Sequence, residues 1–176
     1  VPIYLISPSS AVPPDAPMDA SLARMRAAGF EPVLDPGALR TAQRFAGTDA
    51  QRAGAFTRAA AQPARAVMIT RGGYGLTRLL PSLDFRALAR ARKAWIGYSD
   101  FTAFQLAMLA RARAVTWSGP ALLDDFATED DAPADETTVG ALHDALAGRL
   151  EIVGFRASGP SGVDVRGTLW GGNLTV

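Results

Sequence analysis

Ser99 lies between a short apolar run, Ala94–Ile96, and a stretch of strong helix formers over 101–112. A sharp turn at such a strand-to-helix junction lifts a serine hydroxyl out of the sheet, which is the arrangement of a nucleophile elbow. The backbone N–H of Asp100 then points at the oxyanion that forms during acyl transfer. The match to G-x-S-x-G is partial, because Phe101 stands where the second glycine would be.

The same residues also fit a purely structural role. Serine or aspartate before a helix is most often an N-cap, and pattern alone favours a cap at Ser99 or Asp100. A nucleophilic serine also needs a general base beside it. The only histidine, His143, falls in a predicted helix late in the chain, where a surface position is expected. The residues alone therefore leave a candidate nucleophile without a base.

A second loop whose residues could bind a ligand follows the apolar run Ala66–Ile69. Its sequence, TRGGYG, places Gly72 and Gly73 before a short predicted helix, Leu76–Leu80. Glycines here let backbone N–H groups approach a ligand, as in anion nests, although a tight turn needs glycine as well. The spacing matches neither the dinucleotide fingerprint nor the phosphate loop. Arg71 can pair with a substrate carboxylate or form a structural salt bridge.

The elements that would position these loops alternate between strands and helices. Short apolar runs bounded by turn residues predict the strands of a buried parallel sheet. These runs are Ile3–Ile6, Pro32–Leu34, Ala66–Ile69, Ala94–Ile96 and Ala114–Trp117. Helices are predicted between and after them, over 19–28, 48–60, 101–112 and 138–150. The pattern predicts an α/β fold with a doubly wound, mainly parallel sheet, whose strand-following loops meet at one ligand-binding edge.

Composition excludes several kinds of protein and site. The 176 residues fit one α/β domain, or one domain and the start of another. A formal net charge of +1 gives no whole-molecule argument for nucleic acid or for an anionic membrane. Without cysteine there is neither a disulfide nor a thiolate metal site. The segment 124–136 holds seven acidic residues and no basic one, and we expect a solvated loop there rather than a cation site.

Several segments together resemble the LD-carboxypeptidase family of serine peptidases, which includes the muropeptide LD-carboxypeptidases and the microcin C immunity peptidases. They read TRGGYGLTRLLPSLDF at 70–85, WIGYSDFTAFQLA at 95–107, SGPAL at 118–122 and GTLWGGNLTV at 167–176. ISPSS at 6–10 and GTDAQRAGAF at 47–56 are similar to the family as well. The resemblance extends over nearly the whole chain in the family's order, and its RGGYG and GYSD pieces are the most specific.

The resemblance implies a flavodoxin-like N-terminal domain whose nucleophile is Ser99. It implies an oxyanion hole formed by backbone N–H groups of Asp100, Gly72 and Gly73. It also implies a C-terminal domain that supplies the glutamate and histidine of a Ser-His-Glu triad, which would explain why no base is found in this chain.

The resemblance further implies how the chain is organised and what it does. Residues 1–150 would form the nucleophile domain, and 151–176 a linker and the start of a truncated second domain, so the chain alone is expected to be inactive. The implied reaction is cleavage of the L,D-amide bond of a murein tetrapeptide, with release of terminal D-Ala during cell-wall recycling in the bacterial cytoplasm. No metal, cofactor, nucleic acid or membrane is implied, and a homodimer is expected.

Substrate contacts are predicted for Arg71, Tyr74, Ser118 and Asn173. The family often has His-Gly-Pro where this chain has Ser-Gly-Pro at 118–120, which puts substrate positioning rather than catalysis in question. Two alternatives stay open. A microcin-immunity-type peptidase would cleave an acyl-nucleotide conjugate, with Trp170 as a candidate surface for stacking the base. A non-catalytic ligand-binding module would keep the α/β scaffold without a triad.

Overall fold

The computed structural model describes residues 1–127, 132–149, 166–167 and 172–173. Its strands are β1 (Pro2–Ile6), β2 (Glu31–Leu34), β3 (Ala66–Ile69), β4 (Ala94–Gly97) and β5 (Trp117–Ser118). Its α-helices are α1 (Met18–Ala27), α2 (Asp49–Ala61), α3 (Phe85–Arg90), α4 (Thr102–Ala112), α5 (Leu122–Asp125) and α6 (Glu136–Leu146). Short 3₁₀ helices, Thr77–Ser82 and Ser99–Phe101, follow β3 and β4.

The strands lie in the order β2-β1-β3-β4-β5, and every neighbouring pair is parallel. This is the strand order of the flavodoxin-like doubly wound fold, so the predicted fold class is confirmed. The order reverses at β1, because the chain continues to β2 on one side of it and β3 pairs on the other. The loops after β1 and β3 therefore border the crevice in which such folds bind ligands.

Alternate side chains along the strands build a core on each face of the sheet. In β1, Tyr4 and Ile6 pack on the side of α2, α3 and α4, whereas Ile3 and Leu5 pack on the side of α1, α5 and α6. All four side chains are at most 2% exposed. A sheet covered on both faces needs such continuous apolar strands, which is why the strand-forming runs are readable in the sequence.

The last strand differs from the predicted one. The sequence predicts a strand over Ala114–Trp117, whereas β5 contains only Trp117 and Ser118. Helix α4 is followed by Arg113 in a left-handed conformation, with φ of 52°, and Val115 is 76% exposed. The chain therefore turns outward after α4 and reaches the edge of β4 only at Trp117.

Helices α2 and α6 begin at caps formed by the residue that directly precedes the helix. Thr48 caps α2 as predicted, since its hydroxyl accepts from the Gln51 N–H and the Gln51 side chain accepts from the Thr48 N–H. The helix predicted over 138–150 is instead Glu136–Leu146, because Asp135 caps it by accepting from the Thr138 N–H. The described ends of the acidic segment belong to helices, since Asp124 and Asp125 are in α5 and Asp135 caps α6. The expected solvated loop falls largely on 128–131, which lie outside the described residues.

No helix among the described residues combines the length and apolar character that a membrane crossing requires. The predicted domain boundary near residue 150 and most of 151–176 lie outside the described residues. The two described pieces there, 166–167 and 172–173, do not test the boundary.

A buried carboxylate joins β1, β2 and α2. Asp35 directly follows β2 and is 2% exposed. Tyr4 Oη donates to one carboxylate oxygen at 2.7 Å, and Arg58 donates to both at 2.7 and 2.8 Å. Burial raises the pKa of the Asp35 carboxyl, but the hydrogen bonds from Arg58, Tyr4 and the Gly37 N–H outweigh burial and bring the pKa below its ordinary value.

We expect Asp35→Ala to lower the free energy of unfolding by about 2–3 kcal/mol, because Tyr4 Oη and the Arg58 guanidinium lose their acceptor. Since the folded-state pKa of Asp35 lies below its unfolded value, its stabilisation is present at neutral pH and is lost as the pH falls through the folded-state pKa. Urea unfolding at about pH 7 and about pH 3 should show the difference from wild type shrinking in acid. Asp15→Ala removes an exposed carboxylate and serves as the control. Equal stability of the two variants at neutral pH would contradict the prediction.

Candidate active site

Loops that follow β1, β3, β4 and β5 meet at the carboxyl edge of the sheet, as the parallel topology requires. They are Ser7–Ser10, Thr70–Gly75, Tyr98–Asp100 and Gly119–Pro120. The loops after β1 and β3 are joined by the Ser10 N–H, which donates to Gly72 O at 3.4 Å. The ends of β4 and β5 are joined by the Gly119 N–H, which donates to Gly97 O at 3.3 Å.

Ser99 occupies the turn between β4 and the 3₁₀ helix that leads into α4. Its φ is +59°, in the left-handed region that a residue with a Cβ enters at a cost of about 1–2 kcal/mol. Neither the Ser99 nor the Asp100 side chain caps the helix that follows, so the cap favoured by pattern alone is wrong. The turn instead has the strand-turn-helix form of a nucleophile elbow.

Packing on both sides of the turn holds this conformation. Asp100 is 5% exposed, and its Oδ2 accepts a hydrogen bond from the Leu76 N–H at 3.0 Å, which fastens the TRGGYG loop to the elbow. Phe101 is fully buried against Phe104, with ring centroids 4.9 Å apart. A Cβ at Gly97 would lie 2.9 Å from the Phe101 ring, so glycine is needed where β4 enters the turn.

Gly72 lies directly against the Ser99 hydroxyl. A Cβ at Gly72 would stand 2.8 Å from Ser99 Cβ, 2.9 Å from Ser99 Oγ and 3.7 Å from the Asp100 nitrogen. Gly73 has a φ of +107°, and a Cβ there would overlap the Ser10 side chain. Gly72 therefore brings the backbone of the loop against the Ser99 hydroxyl, and Gly73 brings it against Ser10. A backbone oxyanion site beside Ser99 requires the first of these approaches.

The other predicted site residues surround this centre. Arg71 Nη1 donates to a backbone carbonyl after β1 at 3.0 Å, and within the described residues Arg71 makes no ion pair. Tyr74 is 55% exposed on the TRGGYG loop, and Ser118 is exposed at the end of β5. Asn173 lies against the start of α4, where its N–H donates to Thr102 Oγ1 at 3.2 Å.

A pocket of about 550 Å³ opens beside the elbow, between the ends of β4 and β5 and one face of α6. Tyr98, Ser118 and Asp125 are among its lining residues. Burial, the negative charges of Asp124 and Asp125, and a hydrogen bond to Asp124 raise the pKa of Tyr98 to about 12. This raised pKa keeps the Tyr98 phenol protonated at neutral pH and disfavours it as a base for Ser99.

His143 lies at the amino-terminal end of the strands, opposite the candidate site. Its ring stacks on Phe30 with centroids 4.3 Å apart, and its Nε2 lies 2.8 Å from Ala28 O, between the end of α1 and the start of β2. His143 is thus a half-buried packing residue rather than a surface one. Across the part of the chain that the structure describes, no side chain is hydrogen-bonded to Ser99 Oγ, and no three His, Asp or Glu residues are grouped so as to hold a metal.

Two side chains that hold the site together were not predicted from the sequence. Arg52 is 1% exposed and donates to Pro8 O at 2.7 Å and to Gly75 O at 3.0 Å, which joins the loops after β1 and β3. Gln105 donates to the last carbonyl of β4 at 3.0 Å and to the first of β5 at 2.8 Å. Both residues lie in helices, where a single sequence does not distinguish an inward arginine or glutamine from a solvated one.

Comparison with known proteins places this arrangement among peptidases. Residues 3–119 match the LD-carboxypeptidase N-terminal domain. A Streptomyces coelicolor protein named as a carboxypeptidase is 37% identical over 123 residues, which cover 67% of this chain and 39% of that protein. The crystal structure of muramoyltetrapeptide carboxypeptidase from Oxalobacter formigenes aligns with a TM-score of 0.72 and 33% identity, over 82% of this chain and 47% of that one.

A second kind of relative has a similar structure. The microcin C7 self-immunity protein in complex with aspartyl sulfamoyl adenosine aligns with a TM-score of 0.75 and 28% identity, over 82% of this chain and 44% of that one. The chain therefore spans less than half the length of each of these three proteins.

Proposed function

Since the chain belongs to the LD-carboxypeptidase family, we propose that the full-length protein is a serine carboxypeptidase that cleaves the L,D-amide bond of murein tetrapeptides. The product would be the tripeptide and free D-Ala. The observation that carries the proposal is the elbow, where Ser99 at a φ of +59° presents its hydroxyl to the backbone of Gly72. A strained turn at a sheet edge, packed against a glycine loop, is what acyl transfer by a serine requires.

In this mechanism Ser99 Oγ attacks the carbonyl carbon of the scissile amide while its proton passes to a general base. The carbonyl electron pair moves onto oxygen, and the backbone N–H groups of Asp100 and of the Gly72–Gly73 turn stabilise that oxyanion. Collapse of the tetrahedral intermediate breaks the C–N bond, and the protonated base gives its proton to the departing D-Ala amine. Water, activated by the same base, then hydrolyses the acyl-enzyme. No metal or cofactor takes part.

We place the base outside the nucleophile domain. Tyr98 stays protonated, and His143 lies at the amino-terminal end of the strands. A histidine oriented by a glutamate on a C-terminal domain would complete the triad, with residues 1–150 as the nucleophile domain and 151–176 as the linker and the start of the second. The shorter span of this chain relative to its relatives is consistent with such a domain.

The two described residues of the GGNL segment, Gly172 and Asn173, lie beside the first residue of α4. A Cβ at Gly172 would stand 2.7 Å from the Thr102 side chain, and the Asn173 N–H donates to Thr102 Oγ1 at 3.2 Å. Thr102 is the first residue of α4, three positions after Ser99. Gly172 and Asn173 thus lie close to Ser99, and we propose that a second domain following them supplies the base.

The terminal D-amino acid of the substrate carries a free carboxylate, and we assign Arg71 to bind it. One Arg71 nitrogen is held by a backbone carbonyl at 3.0 Å, so the guanidinium is oriented while its other donors remain for the substrate. Tyr74, Ser118 and Asn173 are proposed as further substrate contacts. We also propose that the full-length protein is cytoplasmic and forms a homodimer.

The likeness to the microcin C7 self-immunity protein in its aspartyl sulfamoyl adenosine complex supports a second candidate function, cleavage of an acyl-nucleotide conjugate. The same nucleophile and oxyanion site would serve, because both reactions transfer an acyl group. Trp170, the candidate stacking residue for the base, lies outside the described residues.

The test is an intact-mass assay of the full-length protein with a murein tetrapeptide and, in parallel, with an acyl-nucleotide conjugate. Loss of one D-Ala from the tetrapeptide supports the proposed reaction. Hydrolysis of the conjugate alone supports the second function. Binding of the tetrapeptide without hydrolysis of either substrate would reject both and leave the non-catalytic binding module.

A further inference from the structure

An exposed arginine lies beside an exposed tyrosine at the rim of the candidate active site. Arg44 Cζ lies 5.8 Å from the centroid of the Tyr74 ring and 5.9 Å from that of Phe45. Tyr74 is 55% exposed, and Arg44 is exposed as well. Two arginines nearby pair with Asp49, whereas Arg44 makes no ion pair within the described ranges. The guanidinium is therefore a positive charge that the fold positions without neutralising it.

The backbone that carries this arginine is fixed. Ala42 and Phe45 exchange two backbone hydrogen bonds, at 2.9 and 3.0 Å, around a turn in which Gln43 has a φ of +57°. The carbonyl of Arg44 accepts from the Ala11 N–H at 2.9 Å. The turn is thus fastened to the segment that follows β1, which also borders the active-site crevice. Arg44 is consequently presented from a braced position, and its orientation costs less entropy to fix on binding.

Covalent geometry limits how far this pair can be from the nucleophile. A Cβ at Gly72 would lie 2.9 Å from Ser99 Oγ, so the Gly72 Cα is within about 4.5 Å of that oxygen. Tyr74 is two residues further on, and consecutive Cα atoms are about 3.8 Å apart, so its Cα is at most about 12 Å from Ser99 Oγ. An extended peptide of four residues spans about 13–14 Å. The three residues before the last amide bond of a tetrapeptide account for about 10–11 Å of that span, so with their side chains they come within reach of the Arg44–Tyr74 pair.

We propose that Arg44, held beside the Tyr74 ring, is a specificity-determining residue that binds a carboxylate on the part of the peptide remote from the scissile amide. The inference rests on the proposed function for the identity of the reacting bond. A guanidinium without an ion-pair partner forms two parallel charge-assisted hydrogen bonds with a carboxylate. The Tyr74 ring, whose centroid lies 5.8 Å from Arg44 Cζ, limits the conformations open to the guanidinium. Arg71 would hold the terminal carboxylate and Arg44 the internal one, so that the two charges fix the register of the peptide.

The test compares kcat and KM for two tetrapeptides that differ only in the second residue, a γ-linked D-glutamate with a free carboxylate or its primary amide. We expect Arg44→Gln to lower kcat/KM for the carboxylate peptide about tenfold, through KM, and to leave the amide peptide unchanged. Arg44→Lys should restore part of the loss, because lysine keeps the positive charge but lacks the two parallel N–H donors of a guanidinium. Arg40→Gln, which removes an exposed arginine for which the structure shows no ring contact, is the matched control.

Equal losses on both peptides, or no loss on either, would overturn the inference. If the wild-type protein hydrolyses neither peptide, the proposed function fails. The Kd values of the two peptides then decide whether Arg44 binds the carboxylate. A tenfold weaker Kd for the carboxylate peptide alone in Arg44→Gln keeps the inference, and unchanged Kd values reject it.

Discussion

Ser99→Ala in the full-length protein is expected to lower kcat for D-Ala release by about 10⁴-fold or more, with tetrapeptide affinity and fold retained. The variant loses the proposed nucleophilic oxygen, while the proposed oxyanion donors and substrate contacts remain. Alanine keeps a Cβ, so the backbone at φ +59° is neither relieved nor newly strained. Single-turnover mass analysis with excess enzyme measures the loss, and thermal unfolding checks the fold.

Ser118→Ala is the matched control for that experiment. Ser118 is a hydroxyl at the same edge of the sheet, exposed at the end of β5. As a proposed substrate contact it should change KM by less than about tenfold and leave kcat near the wild-type value. A Ser99→Ala enzyme that retains a tenth of the wild-type kcat would rule Ser99 out as the nucleophile.

Much of the fold was predictable because its determinants are local or periodic. The strands β1 and β3 are buried on both faces, so each appears as an unbroken apolar run, and α2 begins at a capping box that can be read from Thr48 and Gln51. Helix α3 was not predicted although Asp84 caps it, because at Phe85–Arg90 it is too short to show a helical period. The length of β5 depends on the path that the chain takes after α4 ends. Tertiary packing sets this path, and the local sequence does not show it.

The candidate site was predictable in part, and for a different reason. The RGGYG and GYSD segments identify Ser99 and the glycines through resemblance, whereas pattern alone favoured a cap. What holds Ser99 in the elbow is the burial of Asp100 and Phe101, and the hydrogen bond from the Leu76 N–H to Asp100 joins segments 24 residues apart. A single sequence contains no signal for such pairings. The same holds for Arg52, which helical position alone would place on the surface.

The elbow and the glycine loop act as one unit rather than two motifs. Asp100 accepts from the Leu76 N–H, which fixes the loop, and Gly72 in turn leaves the space that the Ser99 side chain occupies. A left-handed serine costs free energy that the fold must offset elsewhere. Here the buried hydrogen bond and the Phe101 contact provide the offset, so the conformation of Ser99 and the position of the glycine loop are set together.

Gly72→Ala should therefore lower kcat/KM by about 10²- to 10³-fold, although a methyl group is all that is added. The new Cβ would stand 2.8 and 2.9 Å from Ser99 Cβ and Oγ, closer than real Cβ contacts, so the nucleophile or the loop must move. Gly72 does not need a left-handed backbone, and the cost is thus one of space. We also expect the free energy of unfolding to fall by about 1–3 kcal/mol from this overpacking.

Two further variants isolate that contact. Gly140→Ala adds a methyl group in α6 where no atom lies within 4 Å, and it should leave activity unchanged and stability equal or slightly higher. In a Ser99→Gly background the atoms that Gly72→Ala would strike are absent, so its destabilisation should largely disappear. If Gly72→Ala destabilised both backgrounds equally, the strain would lie elsewhere in the loop. Coupling confined to the pair would mean instead that position 72 needs glycine to leave room for the Ser99 side chain.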